Sequence, residues 1–385
     1  MNLGLAIALA AAAVHVWSSG LTGGRLPAAV LLMVAFTGAT VVSALMAIDP
    51  WCSFAGPGEL FRAVIAREAI PLWCGFRGLL DTARSTLFFV LAVMLLDAER
   101  LRRTWLVAIV AGTCFVTLSG LIEYALGHRT GGLFLRDVAM GHSNQTASYL
   151  VMTLPVAAAV LMSGVVTRGA RLLASITLAL GAFALVLTQS LTAWAAGIAV
   201  TVVFALRMAT RRVLLLGSVG VVVATAALLL MGPAFEKFTA TWLAMATGSR
   251  LTWWAGALRV IGDHPWFGVG PRNFILIDRG TYDFQTTFHA HNLYLNIASE
   301  HGLVGLALLV AAIAAIARRL RATHGVIADG LDRACWWAAA CAVLAFVLLG
   351  LATTPYHSRH AIALWAIVGC FYAQFRDRPP RVRAA

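Results

Sequence analysis

Residues 288–316 read FHAHNLYLNIASEHGLVGLALLVAAIAAI. The apolar run from Leu293 to Ile316 is long enough to cross a bilayer, whose hydrocarbon core takes about 20 residues of helix. At its mouth stand His289, His291 and Asn292. Titratable and hydrogen-bonding side chains are costly where water runs out, so such a cluster at a membrane boundary is read first as a site.

Working outward, the composition excludes a water-soluble globular protein. Of 385 residues, 61% are hydrophobic and 12% charged, and the mean hydropathy is +0.85. Spans are expected at roughly 3–19, 26–48, 83–97, 104–126, 145–165, 171–188, 191–207, 213–232, 293–316, 334–352 and 359–375. The fold class is therefore all-α: a polytopic integral membrane protein of about 11 (10–12) transmembrane helices. The first span lacks the basic leading region and small-residue cleavage site of a signal peptide and is kept as a helix. Residues 1–385 form a single membrane domain, with two long segments outside the spans, 49–82 and 233–290.

Basic residues orient the chain. Arg100, Arg102 and Arg103, then Arg168 and Arg171, then Arg207, Arg211 and Arg212, then Arg318, Arg319, Arg321 and Arg333, and finally Arg376, Arg378, Arg381 and Arg383 occupy alternate connections. Those connections and the C-terminus are expected in the cytoplasm. Segments 49–82 and 233–290 then fall outside, which for a bacterial inner membrane is the periplasm. Against this trend, Arg62, Arg67, Arg77, Arg84, Arg129, Arg136, Arg250, Arg259, Arg272, Arg279 and Arg359 lie on or near the outer face. Arginine binds phosphate oxygens bidentately and keeps its proton, so an outward set suits a phosphate or pyrophosphate ligand. Lys237 is the sole lysine among 29 basic residues, a bias that codon usage explains equally well. Histidine shows the same asymmetry: only His15 and His324 map away from the outer loops and helix ends.

Within 233–290, Leu251, Trp254, Leu258 and Ile261 recur at helical spacing and the run stops at Asp263-His264 before Pro265, so this loop is expected to be partly helical. Its tryptophans suit the lipid headgroup level. Cys114, Cys335, Cys341 and Cys370 fall in apolar spans and read as core residues. Cys52 and Cys74 share the first outer loop, where a disulfide is possible in an oxidising compartment. No paired carboxylates or DxD occur in an outer loop, and His289-x-His291 lacks a third convergent ligand, so no metal site is expected.

After His291-Asn292, nine residues intervene before Gly302-Leu303-Val304-Gly305. Upstream stand Gly248-Ser249-Arg250 with Trp253-Trp254, then His264-Pro265-Trp266-Phe267-Gly268-Val269-Gly270 and Phe274. This pattern, over roughly 140–310, resembles the bacterial O-antigen ligases within the wider ligase and polymerase superfamily. The resemblance implies a glycosyltransferase that moves a glycan from an undecaprenyl pyrophosphate carrier to an acceptor at the periplasmic face, with no metal or nucleotide cofactor. The acceptor is lipid A core oligosaccharide for ligases, another lipid-linked repeat unit for polymerases, or a protein hydroxyl for oligosaccharyltransferases. Nucleic acid is not an expected partner.

Glycosyl transfer needs the acceptor hydroxyl activated and the leaving pyrophosphate stabilised. His291 is the candidate general base, its second ring nitrogen oriented by Asn292 or Glu300, and Arg250 the candidate pyrophosphate ligand, with His289 beside them. His142, Ser143 and Asn144 resemble a second polar box of the superfamily that lines the sugar or phosphate site; equally, Ser143 or Asn144 caps the following helix. Many members carry Ser-Arg at a turn that corresponds to Thr188-Gln189-Ser190-Leu191-Thr192, where Leu191 replaces the arginine. Arg62, Arg67, Arg136 and Arg272 are candidates to supply the missing cation. A transporter and a structural envelope protein are the non-enzyme alternatives. The nearly charge-free spans disfavour the first, and the histidine box is idle in the second.

Overall fold

The computed structural model describes residues 27–46, 77–128, 135, 142–164, 166–208, 250–276, 289–327, 330–354 and 359–375. The expected spans 3–19 and 213–232, most of 49–82, and Arg62, Arg67, Arg136, Cys52 and Cys74 lie outside these residues.

Every regular element among the described residues is helical. In chain order these are α1 (Ala28–Leu45), α2 (Arg77–Leu95), α3 (Glu99–Ala125), α4 (Ser143–Ser163), α5 (Arg168–Leu187), α6 (Leu191–Met208), α7 (250–263), α8 (Leu293–Thr323), α9 (Gly330–Gly350) and α10 (Arg359–Gln374). All but α7 correspond to expected spans. Among the described residues, six helices are long and apolar enough to cross a membrane: α1, α3, α4, α5, α8 and α9. The apolar stretches of α6 and α10, Leu191–Ala205 and Ala361–Gln374, are shorter, and α2 carries Arg77, Asp81 and Arg84 in its first half.

Local sequence sets several helix ends. Thr167 caps α5, its Oγ1 accepting from the Ala170 amide at 3.3 Å. Gly164 ends α4 in the left-handed conformation at φ 68°, where a side chain is disfavoured. Within the bundle, Thr40, Thr113, Thr117, Thr153 and Thr177 return their hydroxyls to the carbonyl four residues back, which satisfies them without a partner on another helix.

In the most apolar 18-residue windows, 67% of residues are buried in α4 and α9 but 22% in α5, so the first two are inner helices and α5 is peripheral. Trp365, Phe36, Phe89, Phe346, Phe371 and Phe375 fill the core. Phe115, Leu118 and Ile122 form an exposed apolar stripe on α3, as a lipid-facing helix requires.

Short connections make successive helices antiparallel and sort the chemistry to two ends. At one end gather Arg102, Arg103, Arg319 and Asp332: Arg102 donates to the carbonyls of Leu96 and Asp97, Arg103 pairs with Glu99, Arg319 donates to the Phe375 carbonyl, and Gln374 donates to Asp332. At the other end, the start of α8 meets the end of α9 through Asn292 Nδ2, which donates to the Leu351 carbonyl at 3.1 Å.

Helix α8 departs from the expected continuous span. Gly302, at φ 70° and ψ −178°, breaks it. The loop 264–270 enters the break from the side: Val269 and Gly270 donate to the carbonyls of Ser299 and Glu300 at 2.9 and 3.0 Å, and Leu303 and Val304 donate to the carbonyls of Pro265 and Trp266 at 2.7 and 3.3 Å. Freed backbone groups on both sides of the break are thereby paired, the condition for irregular backbone in a membrane protein. Both glycines are required. A Cβ at Gly302 would lie 2.1 Å from the Trp266 oxygen, and one at Gly268 2.4 Å from the Ser299 oxygen. The segment after the break, 303–323, has by itself the roughly 30 Å that a bilayer needs.

Candidate active site

The half-helix 293–301 carries the site at its N-terminus. Asn292 caps it: Oδ1 accepts from the amides of Tyr294 and Leu295 at 3.0 and 3.1 Å. Ala290 is pinned through both backbone groups, its amide donating to Asn296 Oδ1 and its carbonyl accepting from Trp254 Nε1, each at 3.0 Å. His291 stands between these two fixed residues at φ 49°, a left-handed conformation that costs a non-glycine residue about 1–2 kcal/mol. The surroundings hold it there. Trp253 stacks on the imidazole, ring centroids 4.8 Å apart and planes 22° apart, and His289 meets it edge-on at 4.2 Å. The His291 amide also donates to His289 Nδ1 at 3.3 Å.

Helix α7 supplies the opposite wall. Ala257 and Val260 pack with Val269, Phe274 and Ala290 into a small core, joined by Trp253 and Leu295. Arg250 begins the helix one turn before Trp253 and Trp254, which puts all three toward the same side. Its guanidinium is partly desolvated, which lowers its pKa. The His291 pKa is lowered to about 4, by burial first and then by the positive charges of Arg250 and His142. Burial also lowers the pKa of His142. The N-terminal dipole of α8 acts in the same direction on His291. The result is a neutral imidazole at pH 7 among groups that favour an anion.

The sequence-derived site is thus partly assembled and partly redistributed. His291, His289, Arg250 and His142 come together. Asn292 lies beside them, but its carboxamide serves the α8 cap and the Leu351 carbonyl, so it does not orient the imidazole. Glu300 is three positions short of Leu303 and about 13 Å along the helix from His291 by helical rise, too far to orient it; its carbonyl accepts from Ser43 Oγ at 2.7 Å. Trp253 and His289 do the positioning instead. Helix α4 is capped by His142, whose Nδ1 accepts from the Asn144 amide at 3.3 Å, and neither Ser143 nor Asn144 is the cap. Arg272, at φ 62°, donates to Asp81 Oδ2 at 2.6 Å, so its charge is already balanced by a carboxylate of α2. His301 is buried against Phe36, ring centroids 5.5 Å apart, and does not sit at the rim.

Helix α7 ends before Pro265 as expected, and the structure divides the Leu251, Trp254, Leu258 and Ile261 set between lipid and protein, with Trp254 bonded to the Ala290 carbonyl. Trp253, Ala257 and Val260 face the protein, whereas Leu251 and Leu258 are 63% and 59% exposed, as is Trp266 beyond the helix end at 68%. At the 188–190 turn Gln189 takes φ 50°, and Leu191 opens α6 with 43% of its surface exposed. Among the described residues, no group of three or more His, Cys, Asp or Glu is arranged to hold a metal ion.

Sequence reasoning missed Trp253 as a clamp on His291. The available signal was its position one turn after Arg250 and one turn before Ala257, on a single helical face.

No curated protein matches the chain. Residues 176–310, which contain Arg250, Trp253, His289, His291 and Gly302, match the model of the family described as O-antigen ligase, and that match supports the chain's membership of the O-antigen ligase family.

Proposed function

We propose that this chain is a glycosyltransferase of the ligase type, which transfers a glycan from undecaprenyl pyrophosphate to lipid A core oligosaccharide at the periplasmic face of a bacterial inner membrane. Family membership supports an O-antigen ligase or polymerase type of reaction on a lipid-linked glycan and an acceptor. The observation that carries the finer reading is the neutral His291 held beside Arg250 and His142 at the N-terminus of α8. His291 accepts the proton of the acceptor hydroxyl as its oxygen attacks the anomeric carbon. The bond from that carbon to the pyrophosphate oxygen breaks, and undecaprenyl pyrophosphate leaves with the electron pair. Arg250, His142 and the helix N-terminus stabilise the departing charge. A single displacement inverts the anomeric configuration.

A base with pKa about 4 is weak for this task, since catalytic bases work best near the operating pH. The donor corrects this. Its two phosphates offset the charge of Arg250, the second cause after burial of the lowered His291 pKa, and their own negative charge favours the protonated imidazole, which raises its basicity when substrate is in place. The exposed apolar outer face of α7, Leu251 and Leu258, suits a site beside a lipid surface where an isoprenoid carrier is held. Arg62, Arg67, Arg136 and Arg272 remain candidates for further pyrophosphate contacts, Arg272 after exchange of its Asp81 partner, with Asn144 near the sugar.

A polymerase would use the same base and cation, so products decide. In a strain deleted for the gene and complemented with wild type or His291→Asn, lipopolysaccharide gels should show the polymer ladder only with wild type, and lipid-linked polymer should accumulate with the variant. Core bearing a single repeat unit in the deletion strain would identify a polymerase. Unchanged lipopolysaccharide would place the acceptor elsewhere.

A further inference from the structure

At the arginine-rich end, remote from His291, a groove of about 470 Å³ opens along α9, with residues of α6 and α8 and the short His324–Val326 turn in its wall. Arg321 and His324 stand at one end of it, Trp336 and Trp337 in its side, and Val203 and Leu344 along its apolar part. Leu344 lies seven residues beyond Trp337 on α9, about 10 Å deeper toward the middle of the bundle. The groove is therefore cationic at the rim and apolar with depth. Its volume is within the range of sites that hold a discrete ligand.

Its walls are built. Trp336 Nε1 donates to the Leu320 carbonyl at 2.9 Å, which fixes the indole under the last turn of α8, and the His324 ring meets it edge-on at 5.1 Å. Trp337 packs edge-on to Trp336 at 4.9 Å and to Phe204 at 5.3 Å. Among the described residues the Arg321 guanidinium has no ion pair or hydrogen bond, in contrast to Arg102, Arg103 and Arg319 at the same end of the bundle. Arginine in the last turn of a helix is favourable for the dipole alone. That role does not account for an aromatic-walled groove leading from the arginine into the hydrocarbon-facing surface.

We propose that this groove is a binding site for one anionic phospholipid, with its phosphodiester on Arg321, its headgroup level set by His324 and Trp336, and an acyl chain along Val203 and Leu344. The guanidinium fork matches phosphate oxygens, tryptophan is favoured at headgroup depth, and basic pockets between membrane helices are suited to acidic headgroups. The apolar depth gives a soluble phosphate nothing to bind.

The full-length protein in detergent tests this by native mass spectrometry and thermal unfolding with phosphatidylglycerol, phosphatidylethanolamine, diacylglycerol or glycerol 3-phosphate. Phosphatidylglycerol alone should give a retained adduct and a raised unfolding temperature. Arg321→Gln should weaken phosphatidylglycerol occupancy about fivefold, the scale of one basic residue at an acidic headgroup, and Ala340→Phe should fill the groove and abolish the adduct. Equal binding of phosphatidylethanolamine or diacylglycerol, unchanged occupancy in Arg321→Gln, or the same stabilisation by glycerol 3-phosphate would overturn the proposal. Because Arg321 is exposed, its substitution spares the fold and carries the test even if Ala340→Phe does not accumulate.

Discussion

His291 occupies a backbone conformation that favours glycine and asparagine, so the choice of knock-out matters. His291→Asn keeps that tolerance and should fold normally while activity falls at least about 100-fold, the usual weight of a general base. The electrostatics are separately measurable. Histidine C2 hydrogen–deuterium exchange should give His291 a pKa of about 4, rising in Arg250→Gln because a repelling positive charge is removed. The sign for stability follows. Between the ordinary value of 6.5 and about 4, the unfolded chain binds a proton that the folded His291 does not, so stability falls as pH falls through this window. His291→Asn should remove that part of the acid sensitivity. Much of this site was legible at the residue scale, since His291 and Arg250 stand in a spacing that chemistry and family resemblance both mark. Their roles toward each other were less so. The ion pair of Arg272 with Asp81 joins residues 191 positions apart, and no local pattern announces it.

Among the elements, hydropathy located nine of the described helices, because burial in lipid and burial in protein make the same demand on composition. That equivalence also leaves the inward face of α7 unassigned by its spacing. Leu251 and Leu258 form a true apolar stripe, but periodicity alone does not distinguish a stripe toward lipid from one toward protein, and the smaller Ala257 and Val260 carry the internal contact. The break in α8 was hidden for another reason. A glycine in an apolar run is compatible with an unbroken helix, and only the distant loop 264–270 makes Gly302 adopt φ 70°. Gly302→Ala should therefore cost about 2 kcal/mol or more, from the left-handed strain and the collision with Trp266, and lower the Tm by about 2–3 °C or more. Gly325→Ala, where an added Cβ meets nothing within 4 Å, is the matched control and should leave the Tm unchanged.

For the molecule as a whole, the described arginine clusters at 100–103, 168–171 and 318–333 gather at one end of the bundle and the His291 site at the other. The orientation this implies is checked by cysteine labelling in intact cells, in a background with Cys52 and Cys74 replaced by serine; the buried Cys114, Cys335, Cys341 and Cys370 stay silent. A membrane-impermeant maleimide should label Leu351→Cys and spare Gly325→Cys, and the reverse pattern would invert the topology. The loop in the α8 break has a consequence for covalent continuity. Residues 250–276 and 289–304 are bound to each other by backbone pairs at Ser299, Glu300, Leu303 and Val304 and by the Trp254 bond to Ala290, none of which relies on the peptide that joins the two segments. A protease site inserted between 277 and 288 and cleaved in the folded protein should leave both fragments together on a non-denaturing gel, with transfer activity intact. The candidate site is thus a non-covalent splice, two segments of chain held to each other across a glycine-lined seam.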